Sequence, residues 1–146
     1  MKKKKLNYWQ IELDAPDKCG KTSLMKMIWA FSGYNLMIRD RGWISMSAYS
    51  EIYGRRLKYS KENNNTIYVL LTCDKKEWEI RCKMNDETPI DYETHVKTFK
   101  KYYDKLDAPK LIINTSENTM YKCCIKILKY VEKVNNLEGM FNLAKE

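Results

Sequence analysis

Apolar residues recur along this chain in two rhythms, short unbroken runs and steps of three or four, and the rhythms alternate from end to end. From Tyr8 to Leu13 large residues alternate with others, Trp9, Ile11 and Leu13 against Tyr8, Gln10 and Glu12, which predicts a strand. From Thr22 to Phe31 the residues Leu24, Met27, Ile28 and Phe31 fall at helical spacing, and Ser32-Gly33 ends the pattern. Leu36-Met37-Ile38, within Tyr34 to Arg39, predicts a second strand, and a helix from Ile44 to Leu57 follows it. After a basic loop containing Asn63-Asn64-Asn65, the run Ile67-Tyr68-Val69-Leu70-Leu71 is the clearest buried strand. Helices are predicted from Lys75 to Lys83, presenting Trp78 and Arg81, and from Asp91 to Leu106, with Val96, Phe99, Tyr103 and Leu106 on one stripe. A polar connection, Met84 to Pro89, joins them. Pro109 precedes a fourth strand, Leu111-Ile112-Ile113. A last helix, Glu117 to Val134, turns Met120, Cys124, Ile127, Leu128 and Val131 inward.

Strands alternating with helices imply an α/β fold with a parallel sheet of about four strands and right-handed crossovers. The first strand conflicts with that picture, because a central parallel strand is normally apolar on both faces. Either one of its faces is thinly covered or a partner chain covers it. The length of 146 residues suits one domain, with a basic tail at 1–6 and a C-terminal tail at 135–146 that is either a short helix or frayed.

Between the first strand and the first helix lies Asp14-Ala15-Pro16-Asp17-Lys18-Cys19-Gly20-Lys21-Thr22-Ser23. Gly20, Lys21 and Thr22 occupy the last three positions of a Walker A phosphate-binding loop, while Ala15 stands where its first glycine would be. Such a loop turns backbone N–H groups toward one point at a helix N-terminus, where the helix dipole adds positive charge. Gly20 permits close approach, Lys21 reaches terminal phosphates, and the Thr22 hydroxyl binds Mg²⁺. Pro16, Asp17, Lys18, Cys19 and Ser23 complete the expected cradle. Asp40 and Arg41 stand at the end of the second strand, where ligands of open α/β sheets bind.

Charge agrees with an anionic ligand: 27 Lys and Arg against 19 Asp and Glu leave +8. Lys2-Lys3-Lys4-Lys5 supplies half of that excess and reads as a solvated tail rather than a nucleic-acid patch. No long uncharged apolar run and no leader-like segment is present, so the expectation is a cytoplasmic protein with no membrane partner. Cys19, Cys73, Cys82, Cys123 and Cys124 lack paired Cys-x-x-Cys spacing and His95 is the one histidine, which argues against structural zinc and a Cys/His nucleophile. Cys19 reads as a small loop filler and His95 as an exposed residue.

With these motifs in order, the chain resembles the thymidylate kinase family of P-loop nucleoside monophosphate kinases, in a shortened form of a bacteriophage kind, which would place it in the host cytoplasm. The resemblance covers most of residues 7–133. The family loop Glu-Gly-x-Asp-x-x-Gly-Lys-Ser/Thr is followed from Asp14 to Thr22, with Asp and Ala replacing Glu and Gly. The family pattern Asp-Arg, three residues, Ser, two residues, Ala-Tyr is matched by Asp40, Arg41, Ser45, Ala48 and Tyr49. The resemblance implies a three-layer P-loop fold, ATP and Mg²⁺ as cofactors and a homodimer. It places Asp17 against the acceptor sugar, Arg81 on the phosphate donor and Asn114-Thr115-Ser116 near adenine, the last also readable as a helix N-cap signal. Lys18 after Asp17, with no arginine from Cys82 to Pro89, resembles the family members whose lid carries no catalytic arginine. Lys18 and Lys21 are then the catalytic cations, Thr22 and Asp40 the Mg²⁺ holders and Arg41 the acceptor grip. Tyr49 and Tyr53, four apart on one helix face, are candidates for the base pocket or for the core.

One departure bears on function. Only 17 residues separate Thr22 from Asp40, so the acceptor region is reduced and the family's Arg-Glu-Pro segment is absent. Arg39, Arg41, Arg55 or Arg56 would have to replace its arginine. The expected function is therefore phosphoryl transfer from ATP to a (deoxy)nucleoside monophosphate such as dTMP. The alternatives are a nucleoside or polynucleotide 5′-kinase, or a catalytically reduced nucleotide-binding protein acting through a partner. A nucleic-acid-binding module ranks last.

Overall fold

The computed structural model describes residues 6–16, 19, 21–33, 35–55, 65–84 and 91–143. In chain order the elements are β1 (Gln10–Asp14), α1 (Lys21–Phe31), β2 (Met37–Asp40), α2 (Trp43–Tyr53), β3 (Thr66–Thr72), α3 (Lys75–Met84), α4 (Tyr92–Asp104), β4 (Lys110–Asn114) and α5 (Met120–Asn135). The strands form one sheet in the order β2-β1-β3-β4, and every pairing is parallel. Each predicted element exists, with ends shifted by a few residues.

Two apolar clusters sandwich the sheet. Ile67, Val69 and Leu71 of β3 and Ile11 and Leu13 of β1 pack with α1, α3 and α5, while Tyr68 and Leu70 face α2 and α4. The period of two along β3 feeds both clusters, as a strand buried on both faces must. All seven residues of β3 are buried. On α1, Leu24 and Ile28 of the helically spaced set are buried, while Phe31 is exposed and lies edge-on to Tyr121 of α5. On α4 the buried face is His95, Thr98 and Phe99. Of the expected stripe Phe99 and Leu106 are buried and Tyr103 packs against the same cluster, and the buried face extends further to His95, which is buried rather than exposed.

The first strand corrects the expectation of a thinly covered or partner-covered face. All five residues of β1 are buried, including Gln10, Glu12 and Asp14. Register puts Glu12 beside Tyr68 and Asp14 beside Leu70, so the polar face of β1 points to the α2 side of the sheet. There it meets the start of α2. Glu12 Oε2 accepts from Trp43 N at 3.1 Å, and Asp14 Oδ1 accepts from Gly42 N, Ser45 N and Ser45 Oγ at 2.7, 3.1 and 2.5 Å. Gly42, at the N-cap position, has no side chain to cap the helix, and no acidic residue lies in its first turn. The carboxylates of a neighbouring strand take over both the hydrogen bonds and the compensation of the helix dipole. A Cβ on Gly42 would lie 2.2 Å from Glu12 Oε2, so glycine is needed for this approach.

The C-terminal segment is tied down. Tyr8 and Asn135 exchange hydrogen bonds, Glu132 Oε2 accepts from Phe141 N, and Phe141 and Leu143 pack on the core. Among the described residues no helix is long and apolar enough to cross a membrane.

Candidate functional site

The carboxyl ends of the four parallel strands, with the helix starts that follow them, form one rim. Lys21 opens α1, whose first turn (Lys21, Thr22, Ser23) carries no acidic residue and leaves its positive end to an anion. Lys21 Nζ pairs with Asp40 Oδ1 at the end of β2; the lysine side chain is 13% exposed and the aspartate 50%. Two sequence-predicted residues from separate motifs therefore meet. The parallel pairing of β1 with β2, which sets Leu13 beside Asp40, brings them together.

Immediately after Asp40 the chain turns through Arg41, whose φ of 63° lies in the left-handed region uncommon for residues with a Cβ. Arg41 N donates to Leu13 O at 3.3 Å, and its side chain is exposed. The Asp14 carboxylate then grips Gly42 and Ser45. Burial pushes the Asp14 carboxyl up from 3.8 to about 6; the Ser45 hydroxyl and the Gly42 and Ser45 amides oppose this, and the Glu12 charge adds to it. Its second oxygen, Oδ2, has no hydrogen-bond partner. The Asp40-Arg41 turn is thus anchored from beneath by Asp14, a residue the sequence reading quoted within the loop motif without a role. Its signal was the polar face of β1.

Asp17, Lys18 and Gly20 lie outside the described residues, as do Arg56 and residues 85–89 of the expected lid. Of the loop, Ala15, Pro16 and Cys19 are described and all three are buried. Cys19 is more than a filler. Its sulfur lies 2.8 Å from that of Cys73, just after β3, and its carbonyl accepts from Thr115 Oγ1 at 3.2 Å. Thr115 also bonds Thr72 O through both its backbone N–H and its hydroxyl. The hydrogen bond from Cys19, aided by the charge of Arg81, lowers the Cys73 thiol against the opposing effect of burial. Arg81, from α3, also donates to Glu77 at 3.2 Å.

Asn114 and Ser116 are engaged in lacing the ends of β3 and β4. Asn114 Nδ2 donates to Asp74 Oδ1, Asp74 N to Ser116 Oγ and Ser116 N to Asn114 Oδ1, all at 2.8 Å. The N-cap reading of this stretch does not hold, since Thr119 caps α5 by accepting from Lys122 N. Tyr92 donates its hydroxyl proton to Cys73 O. Tyr92 was not singled out in the sequence, and Thr115 was named only within the stretch expected near adenine; their roles arise where strand ends meet, which no local pattern reveals.

Tyr49 and Tyr53 sit in the seam between α2 and α4. Their rings stack at 5.9 Å, and Tyr49 lies edge-on to Phe99 and His95. Since α2 starts at the rim, a rise of about 1.5 Å per residue carries Tyr53 roughly 15 Å away from it. Tyr53 is therefore remote from Lys21, and Tyr49 serves helix packing.

Comparison with models of known families, with curated proteins and with solved structures gave no match.

Proposed function

We propose that this chain is a compact P-loop phosphotransferase of the thymidylate kinase kind, moving the γ-phosphoryl group of ATP to a (deoxy)nucleoside monophosphate, with dTMP as the first acceptor to examine. The observation that carries the reading is the meeting of Lys21, at the positive end of α1, with Asp40 at the end of the adjacent strand. A lysine there, paired with a carboxylate until phosphate oxygens replace it, suits the terminal phosphates of a nucleotide. The Thr22 hydroxyl and Asp40 offer the hard oxygen ligands that Mg²⁺ takes. Among the described residues no group of three or more His, Cys, Asp or Glu could hold a metal ion. In this reading the ion is bound by one carboxylate together with substrate phosphates. When bound, the ion neutralises charge on the β- and γ-phosphate oxygens.

In this reading Lys21 and Lys18 stabilise charge spreading over the transferring group, Arg81 steadies the donor, and Arg41 grips the acceptor with Asp17 against its sugar. Homodimerisation follows only from the resemblance, because the buried β1 no longer calls for a partner. The same burial removes one motive for a catalytically reduced protein.

A second reading, transfer to a hydroxyl as in a nucleoside or polynucleotide 5′-kinase, is favoured by two commitments. Arg39 donates to buried Glu12 at 3.3 Å, and Arg55 lies over the Tyr53 ring at 5.6 Å, at the far end of α2. A coupled assay over nucleosides, monophosphates and 5′-hydroxyl oligonucleotides, run beside Lys21→Ala, decides between the readings. The expected loss in Lys21→Ala is about a hundredfold or more on the true acceptor. Equal rates for both proteins on every acceptor would refute both readings.

A further inference from the structure

Five free cysteines are buried, and two of them touch although 54 positions separate them. Cys19 comes from the loop before α1 and Cys73 from the end of β3, with their sulfurs 2.8 Å apart. Each backbone is held independently: Thr115 Oγ1 donates to Cys19 O and Tyr92 Oη to Cys73 O. The sulfurs are therefore aimed at each other by the framework, within about 1 Å of bonding distance. The contact with Cys19 and the Arg81 charge lower the Cys73 thiol, while burial, Glu77 and Asp74 oppose this. Cys123 and Cys124, adjacent in α5, are driven the other way by burial, Cys124 to about 11.

We propose that Cys19 and Cys73 are a site of reversible oxidation by a small peroxide, closing to a disulfide that fixes Cys19, two residues before Lys21, and weakens nucleotide binding. The second half rests on the phosphate-loop reading; the first does not. The Cys73 thiolate attacks one peroxide oxygen, the O–O bond breaks, and hydroxide leaves a sulfenic acid on Cys73. That hydroxide takes the Cys19 proton. The Cys19 thiolate then attacks the Cys73 sulfur, the S–O bond breaks as the S–S bond forms, and the departing hydroxide takes up the proton first lost by Cys73. Two thiols are oxidised and one hydrogen peroxide is reduced to two waters. A dithiol reverses the link by two exchange steps. Both residues are 1% exposed, so hydrogen peroxide should reach them far faster than the bulkier oxidised glutathione.

The link also couples two equilibria. If oxidation disfavours nucleotide by a given factor, bound nucleotide disfavours oxidation by the same factor. The test treats the full chain with stoichiometric hydrogen peroxide, maps disulfide-linked peptides by mass spectrometry, and titrates MgATP by calorimetry before oxidation, after it and after dithiothreitol. Expected are a Cys19–Cys73 peptide, about tenfold weaker MgATP binding, recovery with dithiothreitol, and slower linking when MgATP is present. Cys123→Ser should link as wild type does, and Cys73→Ser should keep its MgATP affinity through peroxide treatment. Absence of the linked peptide from folded wild type and folded Cys123→Ser would overturn the site. A linked protein that binds MgATP as the reduced one does would overturn the coupling. Reduced protein that binds no MgATP would instead refute the phosphate-loop reading, with the peptide map still deciding the disulfide.

Discussion

β1 and β3 lie side by side at the centre of the sheet, equally buried and chemically opposite. β3 gives apolar side chains to both faces, Ile67, Val69 and Leu71 to one and Tyr68 and Leu70 to the other. β1 matches it on the first face with Ile11 and Leu13, then spends its second on Gln10, Glu12 and Asp14. Burying carboxylates is costly, and hydrogen bonds must compensate. Here they are the bonds to Trp43, Gly42 and Ser45, and what they place is the turn through Asp40 and Arg41. The difference teaches that one central strand holds the sheet together while its neighbour holds the candidate site in position.

The largest effect expected from breaking this contrast lies on the apolar side. Ile67→Ala opens a cavity between β3 and the layer of α1, α3 and α5, on the face away from Asp14, and should cost about 2–5 kcal/mol in denaturant unfolding. Its stability loss should be the same at pH 5 and pH 7, because no titrating group is touched. A loss that varied with pH would mean that the two strands are not separate in role.

Next comes the acid dependence of Asp14. Its folded value of about 6 exceeds the ordinary 3.8, so between those values the folded chain holds more proton than the unfolded one. Stability contributed by this group therefore falls as pH rises through the window from 3.8 to about 6, and the loss persists above it. A shift of that size corresponds to about 3 kcal/mol. Other carboxylates, such as those of Glu51, Asp91 and Glu93, are shifted downward by their partners and act in the opposite sense. The difference between wild type and Asp14→Asn isolates the term. Wild type should lose stability relative to Asp14→Asn as pH climbs from 4 to 7, read by paired urea titrations; a flat difference would place the titration elsewhere.

Gly42→Ala sharpens the positional half of the contrast. The added Cβ collides with the Glu12 carboxylate, which has little room to retreat beneath α2, so about 1–3 kcal/mol of stability should go. Nucleotide affinity, measured on material that remains folded, should fall as well, since the displaced turn carries Asp40 and Arg41. Lost stability with unchanged affinity would separate the β1 carboxylates from the site.

Much of this was legible in the chain. All nine elements of the described residues were foreseen because strand and helix periods alternate cleanly, and Lys21 and Asp40 were each singled out, in separate roles, before they met in space. The misreadings share a cause. The polar face of β1 looked uncovered because periodicity shows that a side is polar but not that a helix start waits above it. His95 looked exposed because lysines surround it in sequence, whereas the turn of α4 carries them to the other side. The contacts of Cys73, Thr115 and Tyr92 were missed because their partners lie on other strand ends. Asp17, Lys18 and Gly20 fall outside the described residues, so the most sequence-specific part of the loop rests on its motif alone.

The smallest effect tests whether a borrowed cap differs in kind from a local one. α5 starts in the ordinary way: Thr119 accepts from Lys122 N three residues on, at the exposed surface. Thr119→Ala should cost about 1 kcal/mol, as exposed N-caps do, because water partly replaces the lost acceptor. α2 has no such substitute, since Asp14 and Glu12 reach Gly42, Trp43 and Ser45 inside the protein. Thr119→Ala should therefore leave both the pH profile of stability and the nucleotide affinity where wild type has them, in thermal melts across pH and in MgATP titrations. If it shifted either as strongly as Gly42→Ala, any loosening of the fold would disturb the rim equally, and the separate positional role of β1 would fall.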